Sequence, residues 1–262
     1  MTILKRILEN KKLEIRLLKK EASLELLKQQ ISRLPKRNGG FLRALKKGHG
    51  VAVIAEIKKK SPSKGVLRRN FDPAKIAKAY QRGDARALSV LTDRKFFSGS
   101  AKIFQSVRRV TALPILRKDF ILDEYQVYES RLLGADAILL IAGILSEKAL
   151  KRLGGLAEKL GMDVLFEAHN QADIKKILPL KPGMIGINNR DLKSFKVDIQ
   201  TTEKLAKNIP AKILLVSESG IQSREDLIYL GSLGIKAVLV GESLMKSKDI
   251  ARALRKLQRE AA

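Results

Sequence analysis

The chain has 262 residues, 45% of them hydrophobic, and 53 Lys and Arg against 27 Asp and Glu give it a formal charge of +26. That length buries a full core and fits one α/β barrel at least as well as two small domains. It contains no cysteine, which excludes disulfides, thiolate metal sites and cysteine nucleophiles and suits a reducing cytoplasm.

The first ten residues set Lys5, Arg6 and Glu9 among their apolar positions, unlike the unbroken apolar core of an export signal. The apolar run Ala137 to Leu145 is far shorter than the ~20 residues that cross a bilayer as a helix, so no membrane span is expected. Over residues 2 to 34, Ile3, Leu4, Ile7, Leu8, Leu13, Ile15, Leu17, Leu18, Leu24, Leu26, Leu27 and Ile31 recur among charges at a spacing that predicts one or two amphipathic helices. Pro35 to Gly40 breaks the pattern, Phe41 to Leu45 resumes it briefly, and Lys46 to Gly50 is a basic turn.

From Val51 a short apolar strand and a longer amphipathic helix alternate eight times. The predicted strands are Val51 to Ile57, Ala87 to Leu91, Pro114 to Arg117, Ala137 to Ile141, Asp163 to Glu167, Met184 to Asn188, Ile213 to Glu218 and Ala237 to Gly241. The helices between and after them span Pro73 to Arg82, Ala101 to Val110, Glu124 to Leu133, Ser146 to Leu160, Gln171 to Ile177, Thr201 to Asn208, Ser223 to Leu233 and Lys248 to Leu257. Runs of Val, Ile and Leu without strict alternation are what parallel strands buried on both faces require. The pattern predicts an α/β fold, a (β/α)8 TIM barrel over 51 to 262 with an amino-terminal helical extension over 1 to 50, the whole forming one domain. An open, doubly wound sheet shares the same local alternation.

Polar and ionisable groups recur where these strands end: Glu56 and Lys58, Lys118, Glu167, Asn188, and Glu218 with Ser219. In a barrel they converge on the carboxyl-terminal mouth, where barrel enzymes assemble their sites. Mixed lysines and glutamates make an acid/base set, in which neighbouring cations would ease proton loss from a lysine and carboxylates would oppose it. Taken singly, each is equally well a rim salt bridge. The loop Lys58 to Gly65, with Ser61, combines ammonium groups, hydroxyls and a glycine suited to a phosphate or carboxylate, or is simply a solvated basic loop. Ser219-Gly220 and Gly241-Glu242-Ser243 follow the last two strands, the loops between which barrels often hold a phosphate. His49 and His169 lack partners at metal spacing and read as ordinary surface or loop residues, and Phe96-Phe97 either covers an aromatic substrate or caps the barrel. No metal and no cofactor is expected.

The ordered segments Ile54-Ala55-Glu56-Ile57-Lys58 with Ser61-Pro62-Ser63, Ser89 to Asp93 with Phe96-Phe97, Leu116-Arg117-Lys118-Asp119-Phe120, Glu167-Ala168-His169, Ile187 to Leu192, Val216 to Ile221 and Val240 to Met245 together closely resemble the indole-3-glycerol phosphate synthase family. The resemblance runs along nearly the whole chain. It implies that a small anionic substrate, 1-(2-carboxyphenylamino)-1-deoxyribulose 5-phosphate, closes its ring and loses carbon dioxide and water. It further implies Lys118 as general acid at the ketone oxygen, Lys58 as partner of the substrate carboxylate and a proton donor in dehydration, and Glu167 as base. Glu56, Asn188 and Glu218 would orient these groups, Ser219 would line the pocket, and Lys58, Ser61, Arg190, Gly220, Gly241 and Glu242 would bind substrate or phosphate. The extension would lie across the mouth. The division of acid duty between Lys118 and Lys58 stays open.

Two competing readings follow from the residues. A sister phosphate-binding barrel that isomerises a related substrate is expected to pair a carboxylate with a cysteine, which this chain lacks. A nucleic-acid-binding barrel would exploit the +26 charge, but only 5% of residues are aromatic, none is tryptophan and the basic residues are spread along the chain, which leaves only nonspecific attraction. A monomer without a membrane partner is the expectation.

Overall fold

In the computed structural model, residues 2–36, 39–191 and 196–258 are described; Leu192, the end of one family-like segment, lies outside them. The eight predicted strands form as β1 (Ala52–Ile57), β2 (Ala87–Leu91), β3 (Ile115–Lys118), β4 (Ala137–Ile141), β5 (Asp163–Ala168), β6 (Met184–Asn188), β7 (Leu214–Glu218) and β8 (Ala237–Val240). Each pairs in parallel with the next, and β8 returns to β1 through Ala52↔Ala237 to Ala55↔Val240. The sheet is therefore a closed barrel, not the open alternative, and closure removes both sheet edges. The third strand sits one residue later than predicted, so Lys118 is its last residue, still held in the ladder opposite Leu91.

The predicted amino-terminal helical region divides into α1 (Ile3–Glu21) and α2 (Leu24–Ser32) because Ser23 caps a new helix by accepting from the Leu26 amide. Phe41 to Lys46 forms a short helix, α3. Elements too short to show a period escaped the sequence pattern: the hairpin of Lys60–Ser61 with Gly65–Val66, the turn of helix Arg94–Phe97 and the helix Glu242–Lys246.

Apolar packing divides into two layers. Outward-facing strand residues such as Val53, Leu88, Ile138 and Ile185 meet the surrounding helices. Inward-facing Ile54, Leu116, Leu139, Leu165, Val216 and Leu239 fill the barrel itself, as expected for a packed interior. At the amino-terminal ends of the strands, Phe41 and Leu45 of α3 join Ala52, Ala87, Ala137, Met184 and Ala237 and plug the barrel. The plug is fixed by Asp163, whose carboxylate accepts from the Gly40 amide at 3.1 Å and the Leu42 amide at 3.0 Å.

At the opposite end α1 crosses the mouth, turning Ile7, Lys11 and Ile15 inward at helical spacing. The extension is held to the helix Glu124–Leu133 by Tyr125 Oη donating to the Leu18 carbonyl at 3.0 Å and by Lys19 with Asp123 at 2.8 Å. Among the described residues, no helix is long and apolar enough to cross a membrane.

One buried polar contact joins the outer layer to the mouth. Tyr80, fully buried on the helix Pro73–Arg82, donates its hydroxyl to the Glu56 carbonyl at 2.9 Å. Removing the donor leaves a buried carbonyl short of a partner, so Tyr80→Phe is expected to cost about 1 kcal/mol of unfolding free energy, measured by urea titration. A variant as stable as the parent would show that this hydroxyl contributes nothing net.

Candidate active site

The strands end so that their last side chains face one space. Glu56 is the penultimate residue of β1, Lys118 closes β3, Glu167 is penultimate in β5, and Asn188 and Glu218 close β6 and β7. Barrel closure brings them together at the carboxyl-terminal mouth, in a cavity of about 790 Å³. Lys58, Ser61, Arg190, Ser219, Gly220, Gly241 and Glu242 line the same cavity, so all of the predicted site residues meet there.

The centre is one ammonium among carboxylates. Lys118 Nζ lies 3.0 Å from Glu167 Oε2 and 2.7 Å from Glu218 Oε2. Burial opposes the Lys118 charge, but Glu167, Glu218 and Glu56 outweigh it and hold the lysine above its ordinary range. Of the two influences expected on a mouth lysine, the carboxylates prevail, since the close neighbours of Lys118 are acids. Burial works against the Glu167 charge as well, yet Lys118 and His169 keep its carboxyl below the usual range. Glu218 goes the other way. Burial, with the Glu167 charge nearby, pushes it up to about 7 despite the pull of Lys118, and its Oε1 is buried with no hydrogen-bond partner.

Two glycines make room for these carboxylates. A Cβ at Gly186 would stand 2.1 Å from Glu218 Oε1, and one at Gly241 would stand 2.7 Å from Glu56 Oε1. Neither distance is tolerable between unbonded atoms, so both positions are part of the site without contributing a side chain. Glu56 also pairs with Lys58, which stands just beyond its strand.

The other end of the cavity is built from backbone and hydroxyls. Ser219 and Gly220 turn the chain out of β7 with φ of 68° and 87°, a conformation unusual for serine. The serine is held there by donating its hydroxyl to Asn188 Oδ1 at 2.9 Å. Asn189 Nδ2 donates to the Ser219 carbonyl at 2.9 Å, and its own Oδ1 accepts from the Thr202 hydroxyl at 2.7 Å. Opposite lie Gly241 and the short helix Glu242–Lys246, with Ser243 also on the cavity. The Glu242 carboxylate is taken by Lys246 at 2.7 Å and Arg190 at 3.6 Å. An anion would therefore meet the backbone at Glu242 and not its side chain. Arg190 Nη1 also donates to Ser63 Oγ at 3.5 Å across the rim.

Sequence reasoning passed over several residues. His49 is exposed as expected, but His169 is not an ordinary surface residue: its side chain is 9% accessible and Nε2 stands 3.3 Å from Glu167 Oε1. Because β5 continues to Ala168, the residue after it turns back beside the Glu167 carboxylate. Ile3, Leu4 and Ile7 of α1 and Phe120 line the cavity, and no local pattern distinguishes them from core apolar residues. Phe96 is buried, whereas Phe97 faces the cavity with its ring centroid 6.2 Å from that of Phe120.

Comparisons with known proteins identify the family. The family model described as indole-3-glycerol phosphate synthase matches residues 4–257. Proteins named indole-3-glycerol phosphate synthase are similar to the chain in Caldanaerobacter subterraneus, at 49% identity over 94% of both chains. The same name is borne by similar proteins in Acetivibrio thermocellus, at 45% over 98% of this chain and 99% of that one, and in Legionella pneumophila, at 46% over 98% of both. Among solved structures, KGPDC from Streptococcus mutans superimposes with a TM-score of 0.62 at 12% identity, over 80% of this chain and 96% of that chain. A chain of the tryptophan synthase a2b2 complex from Pyrococcus furiosus does so with 0.57 at 17%, over 79% and 97%. These two likenesses concern the fold alone. With its family matched from residue 4 to residue 257 and relatives at 45 to 49% identity over nearly their full length, the chain belongs to the indole-3-glycerol phosphate synthase family.

Proposed function

We propose that this mouth converts 1-(2-carboxyphenylamino)-1-deoxyribulose 5-phosphate to indole-3-glycerol phosphate, carbon dioxide and water by general acid/base catalysis. The observation that carries the reading is the Lys118 ammonium between Glu167 and Glu218 on the floor of a cavity also lined by Lys58, Arg190 and the glycines Gly220 and Gly241.

Ring closure joins the ring carbon that bears the carboxylate to the ketone carbon, and negative charge develops on the ketone oxygen. Lys118, held cationic, stabilises that charge and gives up a proton to it. Its raised affinity for the proton is no obstacle, because an alkoxide is more basic still. Carbon dioxide then leaves with its bonding electrons remaining in the ring. The new hydroxyl departs as water with a proton from Lys58, which beforehand pairs with the substrate carboxylate. Glu167, held ionised, takes the ring proton whose loss makes the five-membered ring aromatic. Glu56, Glu218 and Asn188 orient the two lysines and Glu167. Ser219 lines the pocket, and the phosphate is taken by the backbone at Gly220, Gly241 and Glu242 with Ser61 and Arg190. The net charge of +26 favours capture of such an anion. We further propose that residues 1–262 act as one domain in which α1 covers the barrel's mouth and α3 closes its other end.

Groups that act mainly in the transition state affect turnover more than binding. Lys118→Ala and Glu167→Gln are each expected to lower kcat by ~10²- to 10⁴-fold with KM near the parent value, followed by indole fluorescence. Lys58→Ala should injure both parameters. Near-normal turnover in Lys118→Ala with unchanged circular dichroism would end this mechanism.

The Glu218 carboxyl, raised to about 7 from an ordinary 4.5, keeps in the folded state a proton that the unfolded chain has already released. Its contribution to stability therefore falls as pH rises from about 4.5 through 7. Glu218→Gln should raise the unfolding midpoint at pH 8 and raise it less at pH 5, while lowering turnover. Equal midpoints for variant and parent at both pH values would show that the buried charge costs nothing.

Removal of residues 1–34 should leave a barrel that still unfolds cooperatively by circular dichroism but binds substrate poorly, since all eight strands and α3 lie beyond the deletion. An unfolded product would make the extension part of the core.

A further inference from the structure

The extension brings a buried charge to the mouth that the proposed reaction does not use. Lys11, at the centre of the inward face of α1, has a side chain only 4% accessible and reaches three carboxylates: Glu14 of its own helix at 2.7 Å, Asp119 at 2.8 Å and Asp93 at 3.1 Å. Asp93 and Asp119 belong to different loops, after β2 and β3. Like charges this close repel strongly in a poorly hydrated site, and the Lys11 ammonium lies between them.

Asp119 is tied directly to one aromatic residue of the cavity and Asp93 to the turn that carries the other. Asp93 caps the turn of helix Arg94–Phe97 by accepting from the Phe96 amide at 2.9 Å, and the turn ends in Phe97. Asp119 Oδ1 accepts from the Phe120 amide at 2.8 Å, while its other oxygen is taken by Thr92 and Arg117. Phe97 and Phe120 are in ring contact, tilted at 40°, and both face the cavity. From Lys11 the contacts run to two carboxylates: Asp119 holds the amide of Phe120 itself, and Asp93 holds the amide of Phe96, the residue before Phe97 in the same turn. Ile3, Leu4 and Ile7, on the same helix as Lys11, cover the cavity beside them.

We propose that Lys11 is a positioning residue for substrate recognition: by holding Asp93 and Asp119 together it sets the spacing of Phe97 and Phe120, the apolar wall that receives the planar aryl ring of the substrate. The inference rests on the reading of the cavity given above and adds to it the origin of selectivity for the aryl half of the ligand. The phosphate end is built on the loops after β7 and β8, with Ser61 and Arg190 from those after β1 and β6; the Ser61 hairpin lies against the turn Arg94–Phe97, while the backbone after β7 is held by Asn188 and Asn189. Loss of Lys11 therefore loosens the aryl end and leaves that backbone in place.

The test uses the full chain with Lys11→Met, which keeps the length of the side chain and removes its charge, and Lys11→Arg, which keeps the charge. Two ligands are titrated: indole-3-glycerol phosphate, which occupies both ends, and glycerol 3-phosphate, which occupies only the phosphate end and is read by its displacement of the former. Aromatic contacts of this kind are worth ~1 kcal/mol, so Lys11→Met should raise the Kd of the aryl ligand about fivefold and leave that of glycerol 3-phosphate unchanged, with Lys11→Arg intermediate. In turnover the same variant should raise KM by a similar factor while kcat changes less. If Lys11→Met fails to fold, Asp93→Asn serves instead. It retains a capping oxygen but breaks the charged bridge, and should raise the same Kd about twofold to threefold. A folded variant that binds both ligands as the parent does, or loses both by one factor, overturns the proposal. A parent that shows the selective binding but makes no indole product would instead overturn the reaction and leave the role of Lys11 standing.

Discussion

One ammonium shared by buried carboxylates is the constraint around which the mouth is organised. Lys118 can remain charged below the surface only because Glu167 and Glu218 touch it, and those glutamates can stay in so dry a place only because the lysine is there. The arrangement is asymmetric. Glu167 stays ionised with two partners, whereas Glu218 is left with one oxygen unbonded and its proton affinity raised. Environments that push paired acids apart in this way separate their duties, one poised to accept a proton and the other to hold the geometry.

The barrel supplies this constraint at little expense to the rest of the fold. Strand ends are the one place where parallel ladders deliver side chains from five different strands to a common point, and here they arrive over glycines. Gly186 and Gly241 matter because a methyl group at either would occupy the place of a glutamate carboxylate. The inner layer beneath, from Leu116 to Leu239, is built of apolar side chains with the buried hydroxyl of Ser89 among them, and none of these neutralises a charge. The charges must therefore balance among themselves, and this ties Glu56, Lys58, Lys118, Glu167 and Glu218 into one ionisable unit.

Much of this was legible in the residues, because the signals are local. Eight apolar runs punctuated by ionisable ends pointed to a barrel, although an open sheet shares their alternation, and put Lys118, Glu167 and Glu218 where strands end. What stayed hidden depends on contacts distant in sequence. Lys11 sits in a stretch of α1 crowded with lysines, and nothing in its neighbours tells that it is buried while Lys12 is exposed. Two of its partners, Asp93 and Asp119, are more than 80 residues away. His169 is a loop residue as expected, but the extra strand residue before it sets its side chain beside Glu167 and out of solvent. Phe41 to Lys46, too short to show a period, gave no hint that it closes the far end of the barrel.

That closure has a consequence for traffic. With Phe41 and Leu45 packed into the amino-terminal ring of the strands and Asp163 clasping the backbone that leads into α3, the barrel is a cup and not a tube. A ligand enters at the rim beneath α1, and carbon dioxide, water and the bulky phosphorylated product all leave by that same rim. Each departure competes with the next arrival, so the pace of a turnover is bounded by how often a single doorway clears.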